Sequence, residues 1–340
     1  MKSKDKVVNK DYLVHKNLWG ENMNKYDSIK KIVYDKLVNK SEDRDYSELS
    51  EEVFGKKLAS DECRKRLYGA KAIIDIIEED NKTQEEETRI LCLSDLHIPF
   101  NADIEQFFKY KDKVDILVLN GDIIDNYSMS TFTKMYRLPL VEELIQAREL
   151  LIRLIKEVNP KKVVAVTGNH DYRLGKKIAD KIGSDLLDLM PTDALAFLFD
   201  TGFNYYDKRN KQKIVFTPID EEVDCEVDYV GNFWTKIGRT IFVHPQSFRG
   251  SILGTASKAF DYFTSLGEDF QSLIMAHTHK VGMAVINEKY IYEEGTCADL
   301  SKMDYMDMKL PKTTQTNGYM YIVQDKDGNL IYEKTKLIKF

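Results

Sequence analysis

Hydrophobic and polar positions divide the chain into two parts with different periodicity. Between residues 26 and 77 the apolar side chains recur at helical spacing, which predicts three helices. From residue 89 onward, short apolar runs alternate with helical patterns, as is typical of strands buried in a largely parallel sheet. Two helices are expected there, Ile104–Lys111 and Val141–Val158. The expected strands are Ile90–Leu93, Ile116–Leu119, Val163–Val166, Thr240–Val243, Ser272–Met275, Gly282–Ile286, Tyr290–Tyr292, Tyr319–Val323 and Leu330–Glu333, the last two joined by a turn at Asp325–Asn329.

The first part of the chain has the helix spacing of a helix-turn-helix. Gly55 breaks the pattern, and Ser60 is the expected N-cap of the third helix. The expected buried face of this helix consists of Cys63, Leu67, Ala70, Ile73, Ile74 and Ile77. Basic residues gather at the break and on the helix, namely Lys56, Lys57, Arg64, Lys65, Arg66 and Lys71. Because residues 1–90 carry a net charge of −1, binding to a protein stays open beside binding to DNA.

An acidic segment separates the two parts. Residues 78–88 contain six acids and no aliphatic residue, which predicts a solvated linker. We therefore expect a small helical domain over residues 1–80, a linker over 81–88 and a larger α/β domain over 89–340.

Composition limits the classes of protein that fit. The chain has 340 residues, of which 43% are hydrophobic, and a net charge of −6. A disordered chain and a uniformly basic protein that coats nucleic acid are thus excluded. The four cysteines are far apart and are expected to be free thiols. We expect a cytoplasmic protein with no membrane partner, because we find neither a signal-peptide pattern nor an apolar run long enough to span a bilayer.

Polar residues follow five of the expected strands. Five of the six histidines lie at these positions, most of them beside Asp or Asn. Because strand ends of an open α/β sheet meet at one edge, these side chains are expected to form one site. Mixed oxygen and nitrogen ligands suit Mn²⁺, Fe²⁺, Ni²⁺ or Zn²⁺ better than Ca²⁺. The residues are Asp95, His97, Asp122, Asp125, Asn169, His170, His244, His277 and His279.

Five motifs in order resemble those of the calcineurin-like metallophosphoesterase family. They are DLH (95–97), GDIID (121–125), GNHD (168–171), the isolated His244 and AHTH (276–279). The one departure is Ala276, where the family has glycine. Over residues 89–335 the resemblance implies an α/β fold, a β-sandwich flanked by helices, with two divalent metal ions between the sheets.

The resemblance also implies a role for each motif residue. Asp95, His97 and His279 would bind one metal ion, while Asn169, His244 and His277 would bind the other. Asp122 would bridge both ions, of which Mn²⁺ is the expected one and Fe, Ni or Zn are alternatives. A hydroxide between the ions would attack phosphorus. His170 would assist the leaving group, with Asp125 orienting it.

The motifs leave the phosphoester substrate open. Tyr172, Arg173 and Arg249 combine an aromatic ring with cations, which suits a nucleotide base and its phosphate. The DLHIPF and GNHDYRL stretches and the basic N-terminal region resemble bacteriophage metallophosphoesterases more loosely, which favours a phosphodiester in DNA or RNA. The alternatives are a diesterase for small or cyclic nucleotides, a phosphomonoesterase, and a binding protein that keeps its metal site without catalysis. The oligomeric state is left open.

Overall fold

The computed structural model describes residues 26–85, 87–131, 137–181, 190–191, 193–303 and 315–340. The chain forms two compact units, Met1–Glu86 and Glu87–Phe340. No helix among these residues is both long and apolar enough to cross a bilayer.

Helices build the first unit. Helix α1 spans residues 26–34 and continues as a π-helical turn, Asp35–Asn39. Helices α2 and α3 span Tyr46–Phe54 and Ser60–Glu85. Asp45 caps α2 in a capping box with Glu48, and Gly55 ends it in a left-handed conformation. The core of the unit contains Ile32, Val33, Leu49, Val53, Cys63, Leu67 and Ile74.

Helix α3 differs from the sequence prediction at three places. Ile73 and Ile77 are 60% and 38% exposed, since three helices bury only one face of α3. Ser60 is the first residue of the helix and its hydroxyl donates to Asp45, so it is not the N-cap. The helix runs to Glu85, so most of the acidic segment predicted as a linker is helical. Glu, Lys and Gln are good helix formers, which explains the extension.

The second unit is a mixed α/β structure with two main sheets. Its helices are α4 (Leu140–Val158), α5 (Arg173–Lys181), α6 (Ala196–Phe199) and α7 (Gly254–Ser265). Its strands are β1 (Thr88–Leu93), β2 (Ile116–Asn120), β3 (Lys162–Val166), β4 (Phe203–Asp207), β5 (Gln212–Phe216), β6 (Glu226–Tyr229), β7 (Trp234–Ile237), β8 (Thr240–Val243), β9 (Ser272–Met275), β10 (Val281–Ile286), β11 (Lys289–Glu294), β12 (Gly318–Gln324) and β13 (Lys336–Lys339).

The two main sheets pack face to face between helices. One has the order β13-β12-β1-β2-β3-β6 and the other β10-β11-β9-β8-β7, while β4 and β5 form a separate ladder. Residues of β1 alternate between two cores. Ile90 and Cys92 meet Phe242 and Ile274 of the opposite sheet, whereas Leu91 and Leu93 belong to the core that contains α4. Burial on both faces explains why the strand sequences are continuously apolar.

Most expected elements are present, and two differ. Ile104–Tyr110 forms a 3-10 helix where an α-helix was expected. The strand expected at Leu330–Glu333 is wrong, because this segment holds only an isolated bridge at Leu330 followed by a turn. The partner of β12 is instead β13, although the expected turn at Asp325–Asn329 is present. Leu330 is buried between the sheets and is thus accounted for without a strand.

Candidate metal centre

The carboxyl ends of five strands bring the motif residues together. Strands β1, β2 and β3 run parallel in one sheet, and β8 and β9 run parallel in the other. The motif residues follow directly in tight loops, where several have a positive φ that non-glycine residues rarely adopt. Such backbone conformations cluster at functional sites. They occur here at Asp95, His97, Asp122, His277 and His279.

The first donor cluster consists of Asp95, His97 and His279. Asp95 Oδ1 lies 3.0 Å from His279 Nε2 and 3.8 Å from His97 Nε2. The two imidazole Nε2 atoms are 3.2 Å apart. Ligands at about 2.1 Å from a common ion lie roughly 3–4 Å from one another. One divalent ion therefore fits between these three side chains.

The second donor cluster consists of Asp122, His244 and His277. Asp122 Oδ2 lies 3.3 Å from His244 Nε2, and it is also 3.8 Å from His97 Nε2 in the first cluster. This carboxylate thus stands between the two clusters, as a bridging ligand must.

Several buried donor atoms of the expected metal ligands have no hydrogen-bond partner of good geometry among the described residues. They are Asp95 Oδ1, Asn169 Oδ1, His244 Nε2 and His277 Nε2. Leaving such atoms buried and unpaired costs free energy unless something else binds them. All four belong to the residues expected to bind metal, so the donor set fits divalent ions.

Hydrogen bonds on the far side of the imidazoles orient their Nε2 atoms inward. His97 Nδ1 lies 3.0 Å from Asp125 Oδ1, and His244 Nδ1 lies 2.9 Å from the Asn120 carbonyl oxygen. Acceptors of this kind set the tautomer and the direction of metal-binding histidines. The side-chain nitrogen of Gln315 lies 3.0 Å from His279 Nδ1 and holds this third ring in place.

Negative charge dominates the donor clusters. Burial opposes protonation of His97, yet hydrogen bonds to Asp125 and Asp95 raise its pKa to about 10. Burial opposes protonation of His244 as well, and the charges of Asp122 and Asp95 raise its pKa to about 9. The carboxylates thus attract cations strongly, and metal binding would displace these protons.

Two glycines allow the loops to approach this closely. A Cβ at Gly168 would collide with the backbone nitrogen of Asp122, and one at Gly121 would collide with the His244 ring. Gly121 also has a φ of +80°. Close approach is thus the reason for both residues, and a left-handed backbone is a further reason only at Gly121.

Comparison with known proteins identifies the family to which this chain belongs. Residues 88–281, more than half of the chain, match the model of the calcineurin-like phosphoesterase family. The chain belongs to this family. No curated protein sequence matches this phosphoesterase at a significant level.

Solved structures of other proteins match part of this chain at low identity. An archaeal phosphodiesterase has 12% sequence identity and a TM-score of 0.33, and the match covers 74% of this chain and 100% of that one. Vps29 from Entamoeba histolytica, solved with Zn²⁺, has 12% identity and a TM-score of 0.36 over 74% and 98% of the two chains. Vps29 from Cryptosporidium parvum has 16% identity and a TM-score of 0.32 over 75% and 98%.

In this phosphoesterase, His170 is buried next to the first donor cluster. Its Nδ1 lies 3.0 Å from Asp125 Oδ1, the atom that also contacts His97. These three side chains are close enough to hold an ion, but they already satisfy one another by hydrogen bonds. Asp125 therefore orients His97 as well as His170, and the sequence motif indicated only the second contact.

Arg173 lies directly on His170. Its Nη2 is 2.7 Å from His170 Nε2, and its Nη1 donates to the Asp125 carbonyl oxygen at 2.9 Å. Since the guanidinium always donates, His170 Nε2 is the acceptor here. The sequence placed Arg173 among the substrate contacts, whereas the structure also joins it to the residue expected to assist the leaving group.

Among the described residues, no side-chain contact joins Tyr172 or Arg249 to the donor clusters. The Tyr172 ring has Lys176 Nζ 5.7 Å from its centroid. Arg249 is exposed, and among the described residues its backbone N–H donates to Thr255. Phe248 is 60% exposed, with its ring 5.6 Å from that of His277.

Asp171 supports the site from behind. Its carboxylate accepts from the backbone N–H groups of Gly168 at 2.8 Å and Ile124 at 3.0 Å, tying together the loops after β2 and β3. Burial and the charge of Asp122 raise the pKa of Asp171 to about 7. Asp171 thus has a supporting role in these loops.

Proposed function

We propose that this phosphoesterase is a dinuclear metal-dependent phosphodiesterase that acts on nucleic acid. The observation that carries the proposal is the pair of adjoining donor clusters with unpartnered buried atoms and Asp122 between them. Two divalent ions held there would neutralise phosphate charge and lower the pKa of a water molecule towards neutrality. Mn²⁺ is our first choice, and Fe²⁺, Ni²⁺ and Zn²⁺ suit the same mixed donors.

Seven side chains would hold the ions. We assign the first ion to Asp95, His97 and His279 and the second to Asn169, His244 and His277, with Asp122 shared.

His170 is proposed to assist departure of the leaving oxygen. Its Nδ1 is held by Asp125, so Nε2 is the atom that can act on a substrate. Arg173 occupies Nε2 in the substrate-free arrangement and must shift when the leaving oxygen arrives. The Arg173 guanidinium, or His170 Nε2 once it has taken up a proton, can then donate to that oxygen. Assistance of this kind is typically worth about 10²–10⁴-fold in rate.

A phosphodiester with attached bases suits the surroundings better than a small monoester. The exposed Phe248 beside His277 offers a ring for stacking, and Tyr172 and Arg173 follow the metal-binding loop. Since the whole chain has a net charge of −6, a long nucleic acid would be held by local contacts.

A panel of substrates with added metal ions tests the function. It compares bis-p-nitrophenyl phosphate, p-nitrophenyl phosphate, cyclic nucleotides, and single- and double-stranded DNA. We expect Mn²⁺-dependent hydrolysis of the diester and of DNA. Activity on the monoester alone would contradict the diesterase assignment.

His170→Ala tests the role of this imidazole. We expect turnover to fall by about 10²–10⁴-fold while Mn²⁺ still binds, because the ring lies outside the proposed ligand set. Turnover equal to that of the wild type would refute the role.

The N-terminal unit is proposed to bind a protein. On α3, Tyr68, Ile73 and Ile76 are 51%, 60% and 66% exposed, whereas two basic residues of the same helix are paired with acids, as Arg66–Glu62 and Lys71–Asp75. Exposed apolar surface is typical of protein contacts. Deleting residues 1–86 should therefore leave DNA affinity unchanged in a mobility-shift assay. A clear loss of affinity would favour DNA docking instead.

A further inference from the structure

A buried lysine anchors the loop that follows β8. This loop comprises residues 245–253 and begins directly after His244, a proposed ligand of the second ion. Lys280 is 3% exposed, and its Nζ donates to the backbone carbonyl oxygens of Gly250 and Arg249, the second at 3.4 Å. Because Lys280 directly follows His279 in the chain, it joins the 245–253 loop to the loop after β9, which carries ligands of both ions.

Burial of this ammonium group costs free energy that the loop by itself does not require. The backbone of an exposed loop can obtain its hydrogen bonds from water, whereas a buried cation needs both hydrogen bonds and a counter-charge. Glu293 is completely buried, and burial raises its pKa, while the charge of Lys280 opposes this rise. The fold thus buries two charged residue types beneath an exposed loop, which indicates that the conformation of the loop has a role.

A second contact fixes the same part of the loop. The backbone N–H of Arg249 donates to Oγ1 of Thr255 at 2.8 Å, and Thr255 is 5% exposed in the first turn of α7. The backbone of Arg249 is therefore held at its N–H by α7 and at its carbonyl oxygen by Lys280.

The residue before Arg249 carries an aromatic ring at the edge of the metal centre. The Phe248 ring lies 5.6 Å from that of His277, with an angle of 68° between the planes. Since Phe248 is 60% exposed, most of its ring surface remains open next to a proposed ligand of the second ion.

We propose that Lys280 is a positioning residue for substrate binding, because it fixes the 245–253 loop so that Phe248 can stack on a base of the substrate. The proposal rests on the phosphodiesterase function proposed above. A ring on a mobile loop loses conformational freedom when a base stacks on it, whereas a ring on a fixed backbone loses less. Lys280 therefore acts on the affinity for substrates that carry a base, and hardly on the chemical step.

The test compares two diesters with the same leaving group. The p-nitrophenyl ester of thymidine 5′-monophosphate carries a base, and methyl p-nitrophenyl phosphate does not. Lys280→Met removes the ammonium group and keeps the length of the side chain. We expect it to raise KM for the thymidine ester by about three- to tenfold with little change in kcat. The ratio of kcat/KM for the thymidine ester to that for the methyl ester should fall by the same factor.

The matched control is Lys236→Met, on β7 of the same sheet. Lys236 Nζ also binds a carboxylate and a backbone carbonyl oxygen, those of Glu268 at 2.8 Å and Asp269 at 3.5 Å. This variant should keep the wild-type ratio.

A double-mutant cycle separates positioning from a general loss of structure. Phe248→Ala should lower the ratio by about tenfold, within the range for loss of one stacked base. In the Phe248→Ala protein, Lys280→Met should have no further effect on the ratio, because Lys280 acts through that ring. Additive effects of the two substitutions would overturn the proposal, as would a wild-type ratio in Lys280→Met alone.

Two further measurements apply even if Lys280→Met folds poorly. Thr255→Val removes the other anchor of the loop and should also lower the ratio, so a wild-type ratio there would contradict the proposal. In calorimetric titration, Lys280→Met should bind Mn²⁺ as the wild type does, and a selective loss of one ion would show that Lys280 acts on His279 instead. If the wild type hydrolyses neither diester, the proposed function fails. If it hydrolyses both and the ratio does not depend on Lys280, only the positioning role fails.

Discussion

Replacing Asp125 with Asn should weaken binding of the first metal ion. Asp125 is 3% exposed, and its Oδ1 lies 3.0 Å from Nδ1 of both His97 and His170. Burial opposes ionisation, but these two imidazoles hold the pKa of Asp125 below its usual value. The carboxylate is therefore charged at neutral pH, and Asn removes that charge with almost no change in volume.

The size of the effect follows from these two contacts. Hydrogen bonds to a charged group contribute about 1.5–3 kcal/mol each. Both contacts are made to Oδ1, which Asn can keep, but Asn removes the negative charge and so weakens both hydrogen bonds. Loss of a partner that orients a metal-binding histidine typically lowers metal affinity or activity about 10–100-fold. We expect that loss at the ion bound by His97, and a smaller one at His244, whose Nδ1 contacts a backbone carbonyl oxygen.

Calorimetric titration of Mn²⁺ into EDTA-treated protein measures both affinities. The control is Asp193→Asn, at another buried carboxylate, which accepts from Thr167 and Tyr229 and contacts no imidazole in the described part of the chain. Asp193→Asn should lower stability without a selective loss of one ion. If Asp125→Asn binds both ions as tightly as the wild type, the proposed orienting role is wrong.

Three further predictions concern packing, pH and domain independence. Gly168→Ala should destabilise the fold by about 1–3 kcal/mol and weaken Mn²⁺ binding, because its Cβ meets Asp122, whereas Gly69→Ala, in open space on α3, should be neutral or stabilising in urea unfolding. Burial raises the pKa of Glu143 to about 7, so the folded state binds more protons than the unfolded state, and the free energy of unfolding should fall as pH rises from about 4 to 7. Glu143→Gln should remove up to about 3 kcal/mol of this fall, and unfolding curves at pH 5 and 7.5 that match the wild type would contradict the reasoning. Residues 87–340 alone should keep the wild-type kcat/KM for bis-p-nitrophenyl phosphate, and a loss above tenfold would show that the N-terminal unit takes part in the site.

The sequence by itself determined which strands are followed by the residues of the site. Strands buried on both faces must be continuously apolar, so strands such as Ile90–Leu93 could be identified from the sequence. The polar residues of the site lie in the loops that follow these strands. Strand ends of one sheet share an edge, which is why Asp95 and Asp122 could be assigned to one site before any coordinates. The family motifs added the division of the donors into two sets, and the observed clusters are compatible with it.

Only the tertiary structure decided which distant side chains meet. Leu330 is buried between the sheets although it lies outside a strand. The apolar pattern therefore could not show that the partner of β12 is Lys336–Lys339 and not Leu330–Glu333. The contact of Arg173 with His170 and that of Gln315 with His279 depend on side-chain directions across loops. Periodicity shows which faces of a helix or strand are buried, but not which partner buries them. These contacts could therefore be identified only from the tertiary structure.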